Sequence, residues 1–445
     1  MKLKNICCTG AGYVGGPTMA VIAYHCPEIK ITVVDSNLER INAWNGDLDK
    51  LPVYEPGLPE VIQKVRDKNL FFSTNIKHAI EESEMIFMAV NTPTKTEGEG
   101  AGMAADLTHI EACARDIAKY SKSNKIVIEK STLPVRTAEK IKEILSENKK
   151  ISFEVLSNPE FLAEGTAIKD LFKSDRVLIG GDPNQSGQKA ISILSEIYSR
   201  WIPNEKIITT NIWSSELAKL ASNAMLAQRI SSINSLSALC EKTGAEINEL
   251  SKAIGSDHRI GSHFLKASVG FGGSCFKKDI LNLVYLSRHY GLEEVAEYWH
   301  QVIKINDYQK NRFLKKIINA SIKKEKNCKV VLLGWSFKAN TNDSRESPSI
   351  HIAAKLLENN IKVHVFDPKV IENQIINDLS NHFDSLKVKS SGLLDNLTVY
   401  DSLVSAITKS DIIAIMTEWE MFKNINYSIA NENFDLIDGR FFINE

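Results

Sequence analysis

The stretch ICCTGAGYVGGPT, residues 6–18, decides the fold of this chain. Residues 6–9 are typical of a short buried strand, and an apolar helix-like run follows at residues 18–24. A second strand, residues 31–34, ends at Asp35. This order of strand, glycine-rich turn, helix, strand and acidic residue predicts a dinucleotide-binding βαβ unit.

The glycines of this turn have distinct expected roles. Gly10 permits the tight turn, Gly12 lets a phosphate approach the backbone, and Gly15 lets helix and strand pack closely. The pyrophosphate would lie at the helix N-terminus beside Tyr13 and Val14, where N–H groups and the helix dipole favour an anion. The alternative is a glycine-rich turn in an α/β protein without a cofactor.

Asp35 bears on the choice of dinucleotide. Its carboxylate would accept hydrogen bonds from the adenosine ribose and would repel a 2′-phosphate. We therefore expect NAD as the cofactor rather than NADP.

Length and composition exclude several classes of protein. The chain has 445 residues, 54 Lys plus Arg, 55 Asp plus Glu, a net charge of −1 and 43% apolar residues. These values are typical of a globular protein of two or three domains and speak against a basic nucleic-acid-binding surface. No apolar run approaches the length of a membrane span, and the longest strand-like run is residues 85–90.

The cysteines and the N-terminus suggest a location. No secretory signal pattern begins the chain, so we expect a cytoplasmic protein. Its seven cysteines are scattered and lack paired C-x-x-C spacing, which favours reduced thiols over disulfides or a structural zinc site; no metal is expected.

Further strands with helix-like stretches between them predict a parallel sheet covered on both faces. The strands are residues 85–90, 126–128, 153–156, 177–179 and 207–209. Polar segments follow three of them, at residues 91–94, 129–132 and 157–160. Each segment alone is more simply a helix cap or turn, but three at one carboxyl edge favour a ligand site.

The α/β rhythm returns near the C-terminus after a long helix at residues 214–242. That helix is apolar on more than one side, which predicts that it joins two domains and contributes to a dimer interface. This second α/β region has predicted strands at residues 329–333, 363–366 and 412–416 and a predicted helix at residues 350–357. The turn after its first strand, residues 334–338, lacks the G-x-G-x-x-G pattern. We therefore predict two Rossmann-like doubly wound α/β domains joined by a long central helix, with a different nucleotide bound to the second. The predicted domains are residues 1–210, 211–327 and 328–445.

The segment GFGGSCFKKD, residues 270–279, predicts a reactive thiol. Cys275 is expected in the first turn of a helix, where the helix dipole and the neighbouring Lys277 or Lys278 favour the thiolate. Asp279 lies four residues on, on the same helical face. The bland alternative is a small buried cysteine at a tight helix start.

Lys219 and Asn223 are also four residues apart, on one face of the long helix. On an apolar helix they need partners or a polar cavity, because burying them unpaired is costly. Spacing alone leaves an interdomain hydrogen bond and a substrate-binding face equally open.

A thiolate beside a nicotinamide has a definite chemical consequence. It can add to an aldehyde, the thiohemiacetal can lose hydride to NAD, and the thioester can be hydrolysed to an acid. If the reaction begins from an alcohol, each turnover uses two NAD.

The chain closely resembles the UDP-glucose 6-dehydrogenases of the UDP-glucose/GDP-mannose dehydrogenase family, especially the animal type. The matching blocks, in chain order, are GAGYVGGPT from Gly10, VNTPTKT from Val90, EKSTLPVR from Glu129, SNPEFLAEGTAIKDL from Ser157, SSELAKLASNA from Ser214, GFGGSCFKKD from Gly270 and FKANTNDSRES from Phe337. The resemblance implies oxidation of UDP-glucose to UDP-glucuronate in two NAD-dependent steps, with one water consumed and no metal.

The resemblance also implies residue roles. Cys275 matches the nucleophile, Glu160 the base for thioester hydrolysis, and Thr132 a hydroxyl of the water network. Lys219, Asn223 and Asp279 match residues around the reacting carbon, where Lys219 and Asp279 hold a catalytic water. The expected NAD contacts are Gly10, Gly12, Tyr13, Val14, Gly15, Asp35, Arg40, Val90, Thr92, Thr132, Glu164 and Arg345. The expected UDP-sugar contacts are Glu160, Phe161, Leu162, Glu164, Lys219, Asn223, Phe264, Lys266, Phe271, Gly272, Phe337, Lys338 and Arg440, with Arg259 supplied across a dimer interface.

Assembly and substrate leave alternatives open. The resemblance implies a homodimer that can assemble to a hexamer, but relatives usually continue beyond the position of Arg440 through a final helix and strand, which bears on the higher assembly. UDP-N-acetylmannosamine or GDP-mannose are alternative substrates. A non-catalytic regulator that binds NAD or a UDP-sugar is a further alternative, against which the intact Cys275, Asp279, Lys219, Thr132 and Glu160 speak.

Overall fold

The fold is that of a computed structural model, which describes residues 3–324, 328–389, 392–408 and 410–443. The chain folds into two compact units, Met1–Ser222 and Asn223–Glu445. The three-part division expected from the sequence stays a prediction, and its boundary at residue 327 lies outside the described residues.

A twisted sheet organises the first unit. Its strands are β1 (Asn5–Thr9), β2 (Lys30–Val34), β3 (Leu70–Ser73), β4 (Met85–Met88), β5 (Lys125–Glu129), β6 (Phe153–Ser157), β7 (Val177–Gly181) and β8 (Ile207–Asn211). In the described residues they lie in the order β3-β2-β1-β4-β5-β6-β7-β8. The order reverses between β1 and β4, and ligands of open α/β sheets bind at such a switch point.

The expected parallel sheet needs one correction. Every described pairing between strands of this sheet is parallel except that of β6 with β7, which is antiparallel and rests on the single pair Ser157–Gly180. The predicted strand at residues 85–90 also ends earlier, at Met88, because the chain turns there to carry Val90 and Thr92 beyond the sheet.

Helices cover both faces of this sheet. They are α1 (Gly15–His25), α2 (Leu38–Asn45), α3 (Leu58–Val65), α4 (Ile76–Glu82), α5 (Thr108–Tyr120), α6 (Thr137–Leu145), α7 (Ala167–Phe172) and α8 (Gln185–Tyr198). Two separate apolar cores result, one containing Met19 and Leu194, the other Ile117 and Ile141. Alternate residues of a strand point to opposite faces, so Cys8 enters the first core and Cys7 the second.

The long helix α9 (Ile212–Thr243) begins in the first unit and continues into the second, as the central helix of the prediction. The helices that follow are α10 (Ile247–Gly255), α11 (Phe276–His289) and α12 (Glu293–Ile322). None of the described helices combines the length and apolar character needed to cross a membrane.

A second, smaller sheet completes the second unit. Its strands are β9 (Lys329–Leu333), β10 (Lys362–Phe366), β11 (Leu397–Val399), β12 (Ile412–Ile415) and β13 (Asp435–Asp438). The helices among them are α13 (Pro348–Glu358), α14 (Glu372–Ser385) and α15 (Leu403–Ile407). The described strands pair in parallel in the order β11-β10-β9-β12-β13, which confirms the predicted second doubly wound domain.

Candidate active site

The glycine-rich turn between β1 and α1 has the geometry that a dinucleotide pyrophosphate needs. Gly10 has φ +99°, a conformation that favours glycine, and a Cβ on Gly15 would lie 1.9 Å from the Gly10 carbonyl oxygen. A Cβ on Gly12 would meet nothing within 4 Å, so space is open above the turn. No side chain caps α1 at Val14, and no acidic residue stands in its first turn. The residues therefore fit NAD.

Asp35 stands at the end of β2 and faces this turn. Its carboxylate accepts hydrogen bonds from the amides of Ala11 at 3.0 Å and Asn37 at 2.9 Å, and from the Arg40 guanidinium at 3.0 Å. Partial burial acts to raise the pKa of Asp35, but these donors outweigh it and the pKa lies below its ordinary value. The carboxylate is thus held ionised, as an acceptor for ribose hydroxyls.

The polar segments after β4, β5 and β6 meet at one edge, as the sequence predicted. The Thr92 hydroxyl donates to the Thr132 carbonyl at 3.1 Å, and the Ser131 hydroxyl donates to the Val90 carbonyl at 2.6 Å. Lys130 joins the second segment to the third, since its ammonium lies 2.8 Å from Glu160 Oε2.

Glu160 is a fixed carboxylate with only 13% of its side chain exposed. Its Oε1 accepts the amides of Phe161 at 2.9 Å and Leu162 at 3.1 Å, and its Oε2 accepts the Thr18 hydroxyl at 3.4 Å. Burial acts to raise its pKa, but the positive charge and hydrogen bond of Lys130 outweigh burial and lower the pKa below its usual value. Glu160 is therefore a base that stays ionised in acidic solution.

Two cations lie near the ring of Phe161, in the loop that follows β6. The Lys219 ammonium is 5.3 Å from the ring centroid, and the Arg176 guanidinium carbon is 4.0 Å from it. Lys219 is buried on α9, and Glu164 lies further along the same loop as Phe161. Both interpretations of Lys219, an interdomain hydrogen bond and a substrate-binding face, stay predictions.

A pair of buried carboxyl groups lies behind this edge. Glu129, the last residue of β5, and Glu216 on α9 are both buried, and the charge of Glu216 acts on Glu129. Glu216 also accepts the amides of Arg136 at 2.7 Å and Ala138 at 2.8 Å, at the start of α6. Burial is the main cause that raises the pKa of both groups, and the charge of Glu216 raises that of Glu129 further. Two buried carboxyl groups that interact are costly to ionise together, so we expect the pair to hold one proton near neutral pH.

In the second unit, the structure corrects the position of Cys275 by one residue. The thiol belongs to the N-cap of α11, and the helix begins at Phe276 rather than containing Cys275 in its first turn. Cys275 precedes the first helical residue, and its carbonyl accepts the first hydrogen bond of the helix, from the Asp279 amide at 2.8 Å. Cys275 is exposed, with its sulfur 3.6 Å from the Ser274 hydroxyl.

Asp279 is buried one turn into α11. Its Oδ2 accepts a hydrogen bond from the Asn223 amide of α9 at 2.6 Å, and its Oδ1 lies 3.8 Å from the Lys278 ammonium. Asn223 and Asp279 are both more than 90% buried, so their hydrogen bond fixes the carboxylate near the base of the cysteine-bearing helix.

The glycines before Cys275 pack against the segment after β9. A Cβ on Gly272 would lie 2.6 Å from the Glu346 carbonyl oxygen, and a Cβ on Gly273 would lie 3.0 Å from the ring of Phe337. The Gly273 amide also donates to the Arg345 carbonyl at 2.9 Å. Only glycines permit this close approach, which sets Cys275 beside the predicted UDP-sugar segment.

Most predicted UDP-sugar residues of the second unit are also drawn together. Arg440 donates to the Phe337 carbonyl at 2.8 Å and to the Met416 carbonyl at 2.7 Å, and the Lys338 ammonium lies 5.4 Å from the Phe337 ring. Arg345 instead binds Asp343, with its NH2 2.6 Å from Oδ2. Its predicted contact with NAD stays a prediction.

Three further predicted residues lie on the loop between α10 and α11. Lys266 and Phe264 are exposed, and Phe264 has φ +61°. Arg259 is 77% exposed and paired with Asp257, with its NH2 2.6 Å from Oδ2. An arginine so placed fits a role toward another copy of the chain, which stays a prediction.

Two buried polar residues were missed by the sequence analysis. Lys130 stands within one of the matching blocks, but no role was predicted for it. The side-chain amide of Asn306 on α12 makes two hydrogen bonds to the backbone of Phe271: its oxygen accepts from the Phe271 amide at 2.8 Å, and its nitrogen donates to the Phe271 carbonyl at 3.0 Å. A polar residue on an otherwise amphipathic helix was the available signal for Asn306, but its partner is 35 residues away in the chain.

The second sheet explains why its turn is unsuited to a dinucleotide. Asp367, which ends β10 as Asp35 ends β2, uses Oδ2 to accept the amides of Trp335 at 2.7 Å and Ser336 at 3.0 Å. The Trp335 side chain is fully buried in the turn. The Ala11 amide makes the corresponding bond to Asp35 in the first turn, so the second turn differs in the further bond from the Ser336 amide and in its large buried side chain.

The three regions of the chain match three domains of one family over most of its length. Residues 4–202 match the UDP-glucose/GDP-mannose dehydrogenase family NAD binding domain, residues 213–308 its central domain, and residues 331–445 its UDP binding domain. The chain belongs to the UDP-glucose/GDP-mannose dehydrogenase family. It is therefore an NAD-dependent dehydrogenase, and the expected cofactor, NAD, is confirmed.

Individual relatives agree with this assignment. The chain is 56% identical to UDP-glucose 6-dehydrogenase of Gallus gallus, over 96% of this chain and 86% of that protein. It is 54% identical to UDP-glucose 6-dehydrogenase 2 of Arabidopsis thaliana, over 99% and 94%. Among solved structures, the UDP-glucose dehydrogenase of Pyrobaculum islandicum covers 99% of this chain and 94% of its own, with a TM-score of 0.83 and 29% identity. The resemblance stated from the sequence is confirmed.

Proposed function

We propose that this chain is a UDP-glucose 6-dehydrogenase, which oxidises UDP-glucose to UDP-glucuronate through a thioester on Cys275. The observation that carries the proposal is the exposed thiol at the start of α11, beside the buried Asp279–Asn223 pair and the Phe337 segment. The names of the relatives that share more than half of its residues favour UDP-glucose over the other nucleotide sugars of the family.

The proposed reaction balances as one alcohol oxidised by four electrons. UDP-glucose, two NAD and one water give UDP-glucuronate, two NADH and three protons. NAD supplies the hydride acceptor for both oxidations. Every other step is assigned to residues of this chain.

Lys219 and Asp279 assist the first oxidation, in which C6 loses a hydride and its hydroxyl loses a proton to a water that they hold. The Cys275 sulfur then bonds to the aldehyde carbon, whose oxygen takes up a proton, and forms a thiohemiacetal. Loss of a second hydride and of the hydroxyl proton gives the thioester. Thr132 and Asn223 hold the water and the sugar in place.

Glu160 acts as base in the last step. A water bonds to the thioester carbonyl carbon while Glu160 takes its proton, and the carbon–sulfur bond then breaks to release the thiolate and the acid. The low pKa of Glu160 keeps this base ionised at neutral pH.

We further propose that the chain works in the cytoplasm as a homodimer that can assemble to a hexamer. Exposed apolar side chains on α9, at Met225, Leu236 and Leu239, support a subunit contact there. Arg259 would complete the substrate site of the other copy. The scattered cysteines without disulfides are in keeping with a reducing compartment.

The test is stoichiometry on a panel of nucleotide sugars. Purified protein is incubated with limiting UDP-glucose, UDP-N-acetylmannosamine or GDP-mannose and excess NAD, and NADH and product are quantified. Two NADH per UDP-glucuronate, with UDP-glucose turned over best, is expected. Faster turnover of another sugar would overturn the assignment of UDP-glucose as substrate. One NADH per product would overturn the four-electron oxidation. Binding of NAD and the sugar without turnover would identify a non-catalytic regulator.

A further inference from the structure

Lys130 is a buried cation for which the proposed reaction gives no role. It follows β5 directly, and only 4% of its side chain is exposed. Its ammonium lies 2.8 Å from Glu160 Oε2, 3.1 Å from Asn158 Oδ1 and 3.4 Å from the Tyr198 hydroxyl. A buried ammonium is costly unless it is paired, and the carboxylate that pairs with it here is that of Glu160.

The surrounding groups fix Lys130 in this place. The Tyr198 hydroxyl donates to Asn158 Oδ1 at 2.7 Å, and the Asn158 amide donates to the Leu178 carbonyl at 2.8 Å. Asn158 is thereby anchored to β7, and Tyr198 to the end of α8. Burial acts to lower the pKa of Lys130, but Glu160 and Tyr198 outweigh it and raise the pKa, so the cation is retained.

We propose that Lys130 is a positioning residue for thioester hydrolysis: it holds the Glu160 carboxylate ionised and in one orientation without touching the substrate. This inference rests on the proposed function, in which Glu160 is the base. Lys130 fixes Oε2, while the amides of Phe161 and Leu162 fix Oε1. The carboxylate consequently needs no reorientation before it accepts a proton from water.

The charged and titratable groups around Glu160 decide how far its titration depends on Lys130. Lys219 on α9 is a second, weaker cause of its low pKa, and Tyr198 on α8 faces it as a neutral phenol. The hydroxyl of Thr18 on α1 is not ionisable. With Lys130 removed, Lys219 remains, so we expect a partial rise in the Glu160 pKa toward that of a buried acid.

The experiment compares Lys130→Met, which keeps the length of the side chain, with Lys130→Arg, which keeps the charge. Full-length variants are assayed for kcat and KM on UDP-glucose with NAD from pH 5 to pH 9, and quenched samples are examined for acyl-enzyme by mass spectrometry. For Lys130→Met we expect the acid limb of kcat to move to higher pH by about one pH unit or more. Acyl-enzyme should accumulate below that limb, KM should change less than about twofold because ground-state binding is retained, and Lys130→Arg should restore the wild-type limb.

Lys125→Met is the matched control. Lys125 is also buried and begins β5, the strand that Lys130 follows; its ammonium donates to the carbonyl oxygens of Ser83 at 2.5 Å and Glu81 at 3.3 Å. Its loss should leave the acid limb unchanged. If Lys130→Met lowers kcat equally at every pH and without acyl-enzyme, as a merely structural loss would, the inference is overturned.

Two further measurements keep the inference separate from the proposed function. Glu160→Gln should accumulate acyl-enzyme at every pH, because an amide cannot accept the proton. If Glu160→Gln and the wild type never show acyl-enzyme while Cys275→Ser stays active, the proposed function fails. If Glu160→Gln accumulates it and Lys130→Met does not, only the role of Lys130 fails. Should Lys130→Met not fold, Lys130→Gln is used, with the same expected shift.

Discussion

At the scale of the residue, Cys275 differs from the other six cysteines in exposure and in its position at a helix N-terminus. Cys275→Ser should lower kcat for acid formation by about 10³-fold or more, because a serine hydroxyl is a far weaker nucleophile near neutral pH. An oxidised sugar should remain bound, detectable by trapping with an amine and a reducing agent. Cys328→Ser, a buried thiol before β9, is the control and should keep the covalent step. Wild-type rates in Cys275→Ser would refute the nucleophile.

Asp35 carries a prediction about the cofactor. Its carboxylate repels a 2′-phosphate, and the Arg40 guanidinium 3.0 Å away could pair with that phosphate once the carboxylate is removed. Asp35→Ala should raise the ratio of kcat/KM for NADP over NAD by about tenfold, which corresponds to ~1.4 kcal/mol of removed repulsion. Asp35→Asn separates charge from size. A ratio that stays unchanged in both variants, measured by NAD(P)H absorbance, would contradict the assignment.

At the scale of the element, the buried Glu129 on β5 and Glu216 on α9, which we expect to share a proton, link the stability of the fold to pH. A carboxyl whose folded-state pKa is raised stabilises fully below its unfolded pKa of about 4.3. As pH rises above that value, the unfolded chain ionises while the folded chain keeps its proton, so stability falls until the folded pKa is passed. The stabilisation lost approaches ~1.4 kcal/mol per pH unit.

Glu129→Gln should remove much of this dependence, because its amide donates to Glu216 at any pH. We expect the thermal midpoint of the variant to fall less than that of the wild type between pH 5 and pH 9, measured by circular dichroism. Glu139→Gln, which alters an exposed carboxylate 2.8 Å from Arg136, is the control and should follow the wild type. Parallel curves for wild type and Glu129→Gln would rule out the shared proton.

The elements themselves were largely predictable, because each leaves a local pattern. The helix at residues 214–242 and the strand at residues 329–333 were found within two residues of their observed bounds. Contacts between distant residues leave no such pattern. Lys130, which follows β5, meets Glu160, which follows β6, and Asn306 on α12 meets Phe271 in the loop before α11. The antiparallel pairing of β6 with β7 was missed for the same reason, since one residue pair defines it. The site residues could be predicted because they lie in sequence motifs, whereas the residues that contact them became known only from the three-dimensional structure.

At the scale of the whole molecule, the apolar side chains on α9 predict self-association. Leu239 is 58% exposed, and Leu239→Glu should place a charge where we expect a second copy to pack. Light scattering should show a dimer for the wild type and a shift toward monomer for the variant. The monomer should be less active, because its substrate site would lack Arg259 of the other copy. Val404→Glu, on α15 and 60% exposed, is the control and should stay dimeric. A monomeric wild type at working concentration would contradict the prediction.

The contrast between six buried thiols and one exposed thiol allows the folded state to be assayed by chemical labelling. Burial raises the pKa of Cys113 to about 12 and that of Cys26 and Cys328 to about 11, so these sulfurs remain protonated and inaccessible to an alkylating reagent. A mild electrophile such as iodoacetamide therefore titrates Cys275 alone in the folded chain. A folded, reduced preparation should then incorporate about one mole of label per mole of protein, and unfolded chains, which expose all seven thiols, would raise that value.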